Sequence, residues 1–220
     1  MNPLTELVLN GILETLYMTL VSTAFGYIIG LPLGMILAAT ASEGITPVPI
    51  VNKELGFIVN VVRSVPFIIL LVAIIPFTRA IVGTTLGSTA TIVPLTLCCA
   101  PYIARVVESS IKEVDPGVVE AALSMGASPM QVMLKVQLPE AKPSLLVGAA
   151  ITVTAVLGYS TMAGFVGGGG LGAIAINYGY YKYDDKMMLI TVCLLVVIVQ
   201  LLQEIGMRVA TKTDKRQNSF

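Results

Sequence analysis

Glu120-Ala121-Ala122, then Gly126, then after nine residues Val136-Gln137-Leu138-Pro139 make up the stretch that decides how this chain is read. It lies in the one long polar segment between apolar runs. A protein that is otherwise apolar thus keeps one structured loop in water, and such a loop needs a soluble partner. Asp115-Pro116 caps and starts a short helix, because the carboxylate accepts orphan amide hydrogens and proline at the first helical position sacrifices no bond. Gly126 ends that helix in the left-handed conformation, which costs other residues about 1–2 kcal/mol. Ser128-Pro129 repeats the start signal, and Met130, Met133 and Leu134 follow at helical spacing. Pro139 is expected to stop the second helix by pushing Leu138 out of helical geometry. Residues 115–139 therefore read as two short helices around a glycine turn. A hairpin that merely joins two spans is the alternative. Against it, Glu, two Ala, Gly, Leu and Pro at these spacings occur by chance about once in several million start positions.

Working outward, the chain of 220 residues is 55% hydrophobic and 12% charged, with mean hydropathy +0.88, far from the composition of a soluble domain. About 20 apolar residues make a helix that crosses about 30 Å of hydrocarbon. Five such stretches are expected, near 16–40, 57–78, 86–107, 143–166 and 187–208. The fold class is all-α, a single transmembrane domain over residues 1–220 with its core at about 12–208. The tails and connections are too short for a soluble catalytic domain. Residues 1–15 hold Glu6 and Glu14 but no Lys or Arg, so the positive region of a signal peptide is missing and the first span is expected to be mature structure. Leu4, Leu7, Val8 and Ile12, after Asn2-Pro3, predict a short amphipathic helix lying along the membrane surface.

Lys53, Arg105, Lys112, Lys135, Lys142, Arg208, Lys212, Lys215 and Arg216 fall on one side of these spans, and only Arg79, Lys182 and Lys186 on the other. The excess of positive charge places the 115–139 loop and the C-terminus in the cytoplasm and the N-terminus outside. Arg63 is either at the cytoplasmic mouth of the second span or a turn or two inside, snorkelling to the headgroups. Cys98, Cys99 and Cys193 all lie in apolar spans, and His is absent, so they read as small buried hydrophobes and imply neither disulfides nor a metal site.

Gly26, Gly30 and Gly34 form a stripe along one face of the first span where another helix approaches closely. An intrachain neighbour is expected, a second copy being the alternative. Pro32, Pro66, Pro76, Pro94 and Pro101 predict kinks. Gly167 to Gly170 with Leu171-Gly172 lacks the Gly-Lys-Ser/Thr ending of a phosphate loop; it is either a flexible connection at an outer gate or a tight turn without a ligand. Tyr178, Tyr180, Tyr181 and Tyr183 read as an interfacial aromatic belt or as a docking patch. No Asp, Glu or His lies well inside an expected span, which argues against a proton-coupled carrier.

The 120–139 segment resembles the EAA loop of ATP-binding-cassette (ABC) importer permeases, Glu-Ala-Ala, three residues, Gly, nine residues, Ile, any residue, Leu, Pro, with Val136 as the one departure. Arg63-Ser64-Val65-Pro66-Phe67-Ile68-Ile69-Leu70-Leu71, Ile75-Pro76-Phe77-Thr78-Arg79, Gly158-Tyr159-Ser160 and Gly169-Gly170-Leu171-Gly172 extend the resemblance over nearly the whole chain to the methionine-uptake permease subunits of ABC transporters. That resemblance implies a homodimer of five-span subunits in a bacterial inner membrane, two cytoplasmic ATPase subunits, and a substrate-binding protein that is periplasmic or lipid-anchored. L-methionine, D-methionine and related derivatives would be the substrates. It implies no catalysis and no cofactor in this chain, ATP and Mg being bound by the ATPase. It assigns ATPase coupling to Glu120, Ala121, Ala122, Gly126, Leu138 and Pro139. It also lines the pathway with the fourth span, where Tyr159, Ser160 and Met162 become gate candidates; a thioether beside a hydroxyl suits a methionine-sized solute. A permease for another amino acid, a secondary carrier or channel, and a membrane scaffold are the competing readings.

Overall fold

The computed structural model describes residues 3–213, and every regular element among them is helical. Asn2, Lys215 and Arg216 lie outside the described residues. Helix α1 (Pro3–Thr40) is continuous over 38 residues, about 57 Å at 1.5 Å per residue. The separate surface helix expected at the N-terminus is therefore not formed. Leu7, Val8, Ile12 and Leu16 instead pack against Leu171, Ile174 and Met187, and with that apolar cover no break separates the amphipathic turns from the span.

Helix α5 (Ser88–Lys112) lies against α1. Gly26, Gly30 and Gly34 are buried at their interface. A Cβ on Gly30 would stand 2.6 Å from the carbonyl oxygen of Ala100, and one on Gly34 2.6 Å from Cβ of Val107, so only hydrogen fits and the stripe is intrachain. Buried threonines on α1 bond back to their own helix, Thr15 donating to Gly11 O at 2.8 Å, Thr19 to Thr15 O at 2.8 Å and Thr23 to Thr19 O at 2.7 Å, whereas the buried Ser22 hydroxyl donates across the interface to Ile92 O of α5 at 3.5 Å.

The second span departs most from expectation. Instead of one helix over 57–78 there are three pieces, α2 (Pro49–Ser64), α3 (Phe67–Ala73) and α4 (Ile75–Val82), and α2 and α3 meet at 99°. Pro66 is the cause: Val65 before it is extended, with φ −81° and ψ 123°, as steric clash with the proline ring requires. Pro76 stands in the first turn of α4, where proline is tolerated. Pro32, Pro94 and Pro101 sit inside unbroken helices.

After α5 come α6 (Pro116–Ser124), α7 (Pro129–Val132) and α8 (Leu138–Glu140), then α9 (Lys142–Met162), α10 (Gly170–Ile174) and α11 (Asp185–Thr213). Four of these helices are long and apolar enough to cross a membrane, and the bent α2–α3 pair makes a fifth, broken span. Helix α11 packs on α9 through Gly206 against Ala150 and leaves Leu189, Val196 and Leu201 exposed, an apolar face fit for lipid. Cys193 is exposed on α11, unlike the buried Cys99, so the expectation of three buried cysteines fails there.

Candidate functional site

The 115–139 loop folds as two helices around a glycine, and each boundary has a local cause. Asp115 caps α6 by accepting from Gly117 N at 2.8 Å. At the other end Ala127 N donates to Ala122 O at 3.2 Å and Gly126 N to Leu123 O at 2.9 Å, a Schellman closure that requires the φ of +85° found at Gly126. Ser128 and Gln131 form a reciprocal capping box at the start of α7. Pro139 does not stop the helix. Leu138 stays helical at φ −65° and ψ −44°, because residues Met133–Gln137 widen into a π-type turn in which Leu138 N reaches Met133 O. That extra residue per turn relieves the proline clash, and the chain bends at Ala141 before α9.

The hairpin is anchored on one side and open on the other. Val114, Ala122, Val132 and Met133 are buried. Met125 is 83% exposed and Met130 66% exposed, large apolar tips that a lone hairpin has no reason to present to water. Ala121 and Glu120 are exposed beside them. Glu120 lines a cleft with Glu43, Lys112, Leu123 and Gln137 and joins none of the ion pairs among the described residues. Leu138 and Pro139 lie on a separate groove with Tyr27, Leu31 and Leu145. The six coupling candidates thus share one hairpin but present two surfaces.

Directly behind the hairpin, Glu108 is buried between Arg105, 2.6 Å away, and Lys112, 2.7 Å away. Arg105 also donates to Gly56 O at 3.0 Å and Asn60 Oδ1 at 2.9 Å, so it ties α2 to the end of α5 from which the hairpin springs. Sequence reading missed this link, although 105, 108 and 112 fall on one helical face.

On α9, Tyr159 is half-buried and stacks on Phe67 with ring centroids 5.1 Å apart. Met162 is exposed. Ser160 is buried and donates to Leu157 O at 2.7 Å, turned away from Met162 by the helical twist. The structure therefore groups Tyr159 and Met162 with exposed Gly158 and separates Ser160 from them. Arg63, at the end of α2, is exposed with its guanidinium carbon 5.9 Å from the Tyr102 ring centroid.

The glycine-rich turn at the far end is closed. Gly167, Gly169 and Gly170 take φ of 80°, 83° and 72°. Gly170 N donates to Glu14 Oε2 at 2.6 Å, Leu171 N to Thr15 Oγ1 at 2.9 Å, and Thr91 Oγ1 to Gly168 O at 3.3 Å. Of the two readings offered for it, the tight turn fits. Nearby, Tyr180, Tyr181 and Tyr183 are exposed, whereas Tyr178 is capped by Lys182, 4.2 Å from its ring centroid.

With this geometry in view, residues 30–210 match the family described as binding-protein-dependent transport system inner membrane component. The chain is 49% identical over 212 residues to the probable D-methionine transport system permease protein MetI of Vibrio cholerae, covering 96% of this chain and 94% of that one. It is 50% identical over 162 residues to D-methionine transport system permease protein MetI of Escherichia coli strain K12, covering 74% of this chain and 75% of the relative. Its fold superposes on a chain of the inward-facing MetNI methionine ABC transporter with a TM-score of 0.96 at 47% identity, covering 98% of this chain and all of the other. An amino acid ABC transporter solved with histidines shares the fold at a TM-score of 0.78 and 20% identity, covering 95% of each chain.

Proposed function

Since this chain belongs to the family of binding-protein-dependent transport system inner membrane components, we propose that it is the permease subunit of an ATP-driven importer that brings methionine, in its L- and D-forms and as derivatives, into the cytoplasm. The observation that carries the proposal is the hairpin: its fold rests on its own caps, its inner face is anchored, and its outer face offers Met125 and Met130 to a partner. The similarity to methionine-transport permeases along nearly the whole chain supports the solute.

In the assembly we envisage two copies of the chain, two cytoplasmic ATPase subunits and an extracytoplasmic binding protein. ATP binding draws the ATPases together, and the hairpins seated on them move with them. Because Val114 and Met133 of the hairpin region belong to the same core as Ile103, Val107 and Val156, a shift of the hairpin is passed to α5 and α9 rather than absorbed locally. Glu120, Ala121 and Gly126 form the ATPase-facing side, while Ala122 is buried on the anchored face and lets α6 pack closely behind them, with Leu138 and Pro139 at the hinge into α9. Tyr159 and Met162 border the solute path. The N-terminus lies outside, and the hairpin and C-terminus lie in the cytoplasm. The end of α11 supports that arrangement, since Met207, Ala210 and Thr211 share a cleft with Glu140 and Ala141 at the hairpin's exit.

Reconstitution in proteoliposomes tests the proposal. ATP-dependent uptake of methionine over histidine and glutamine is expected only with both the ATPase and the cognate binding protein present. Preference for another amino acid rejects the solute, and uptake without the ATPase rejects the transport mode.

A further inference from the structure

We infer that Arg105 is a positioning residue of the transport cycle, carrying the motion of the hairpin to the broken span so that α2 and α3 swing with α6 and α7; this rests on the ATP-driven import proposed above. The link begins at the hairpin's root. Helix α5 ends at Lys112, and Asp115, three residues on, caps α6. Within the last two turns of α5, Glu108 is buried and accepts from Arg105 Nη1 at 2.6 Å and from Lys112 Nζ at 2.7 Å. Breaking the Arg105 contact would leave that carboxylate dependent on the exposed Lys112, and a buried charge short of a partner is strongly destabilising. The cluster therefore moves as one body when the end of α5 turns.

The far side of the guanidinium is fastened to α2. Nη2 of Arg105 donates to Gly56 O at 3.0 Å and to Asn60 Oδ1 at 2.9 Å, two positions that share one helical face. Glycine at 56 makes the seat, since a Cβ there would stand 3.3 Å from that nitrogen. The apolar footing of α2 is thin. Of its sixteen residues only Gly56 and Val59 are buried, with Val59 set beside Leu37 and Ala104, while Ile50, Phe57, Ile58 and Val61 are exposed. Asn52 Nδ2 ties the start of α2 to α1, donating to Leu37 O at 2.8 Å. A helix held in this way is steered by its polar contacts, and the one that reaches the hairpin-bearing helix is Arg105.

The break behind α2 gives that steering a destination. At Val65-Pro66 the chain turns through 99° into α3. Phe67, the first residue of α3, stacks on Tyr159 of α9 with ring centroids 5.1 Å apart, beside the solute path proposed above. A tilt of α2 is thus delivered by α3 to the border of that path. Lysine could not serve in place of Arg105. An ammonium satisfies Glu108 as a point charge, whereas the guanidinium spans the carboxylate with one terminal nitrogen and α2 with the other.

The test compares wild type with two variants that separate α2 from the ion cluster. Gly56→Val with Asn60→Leu closes the seat on α2 and leaves Arg105, Glu108 and Lys112 in place; Arg105→Lys keeps the charge and loses the fork. Arg208→Gln is the surface control. Each is assembled with its ATPase and binding protein, and methionine imported per ATP hydrolysed is measured in proteoliposomes. In a background with Cys98, Cys99 and Cys193 replaced by alanine, spin labels on Ile58→Cys of α2 and, separately, on Lys135→Cys of the hairpin report the distance between the two copies with and without a non-hydrolysable ATP analogue. Both distances are expected to change in wild type. In the two variants the hairpin change should persist, the α2 change should shrink at least threefold, and import per ATP should fall at least fivefold; Arg208→Gln should match wild type. An α2 label that still follows the hairpin in both variants, or import per ATP within twofold of wild type in both, overturns the inference. Loss of assembly in both variants overturns it as well, because a contact needed only for packing gives that result. A hairpin distance that the nucleotide leaves unchanged in wild type rejects the ATP-driven reading, and the role of Arg105 with it.

Discussion

Two glycine turns sit at opposite ends of this molecule, and they are built on opposite plans. At Gly126 an added Cβ would meet nothing within 4 Å, and large apolar side chains stand exposed on both flanks. At Gly168 an added Cβ would come within 2.7 Å of both Ala163 Cβ and Thr91 Oγ1, and the backbone around it is pinned by Glu14 and Thr15 from the far end of the sequence. Left-handed glycines therefore do not define a function by themselves. The turn that the rest of the chain seals is part of the fold, and the turn left open is where a partner belongs.

The largest effect should come from filling the sealed turn. Gly168→Val forces atoms into occupied space, a cost of about 1–3 kcal/mol or more. The purified protein should melt about 5–10 °C lower, with reduced yield. A wild-type melting curve would mean that this turn is looser than its contacts imply. On the open turn the same measurement should barely move while binding collapses: Met125→Asp with Met130→Asp is expected to weaken ATPase association by tenfold or more, as loss of central apolar anchors does, and to leave melting of the permease within 2 °C or so. Gly126→Val should cost less stability than Gly168→Val, since only backbone strain of about 1–2 kcal/mol is imposed and space receives the side chain. Uptake per ATP should nonetheless fall, because the angle between α6 and α7 changes.

The contrast also marks what the sequence could disclose. The hairpin was legible because its determinants are local: Asp115-Pro116, Gly126 and Ser128-Pro129 each act on the three or four residues beside them. Pro139 misled because its clash is relieved by widening the preceding turn, an adjustment that appears only when Val132 and Met133 are fixed in the core. The broken second span was readable in principle from Val65-Pro66, but continuous hydropathy over 57–78 outweighed a two-residue signal. The seal on the glycine-rich turn was out of reach, for Glu14 and Gly170 are 156 residues apart and only packing of α1 against α10 brings them together. Among the gate candidates, Tyr159 and Met162 face open space while Ser160 turns inward, a distinction that spacing along a single helix does not make without knowing which face is covered.

The most direct test of the account labels both turns from both sides of the membrane. In a background with Cys98, Cys99 and Cys193 replaced by alanine, single cysteines at position 125 and at position 91, where a thiol replaces the hydroxyl of Thr91 that bonds Gly168 O, are exposed to a membrane-impermeant maleimide in inverted and right-side-out vesicles, with and without the ATPase subunit. The account predicts rapid labelling at 125 in inverted vesicles that falls at least fivefold when the ATPase is bound, and negligible labelling at 91 from either side. Labelling at 125 that is indifferent to the ATPase, or absent in inverted vesicles and present only from the opposite side, would contradict it.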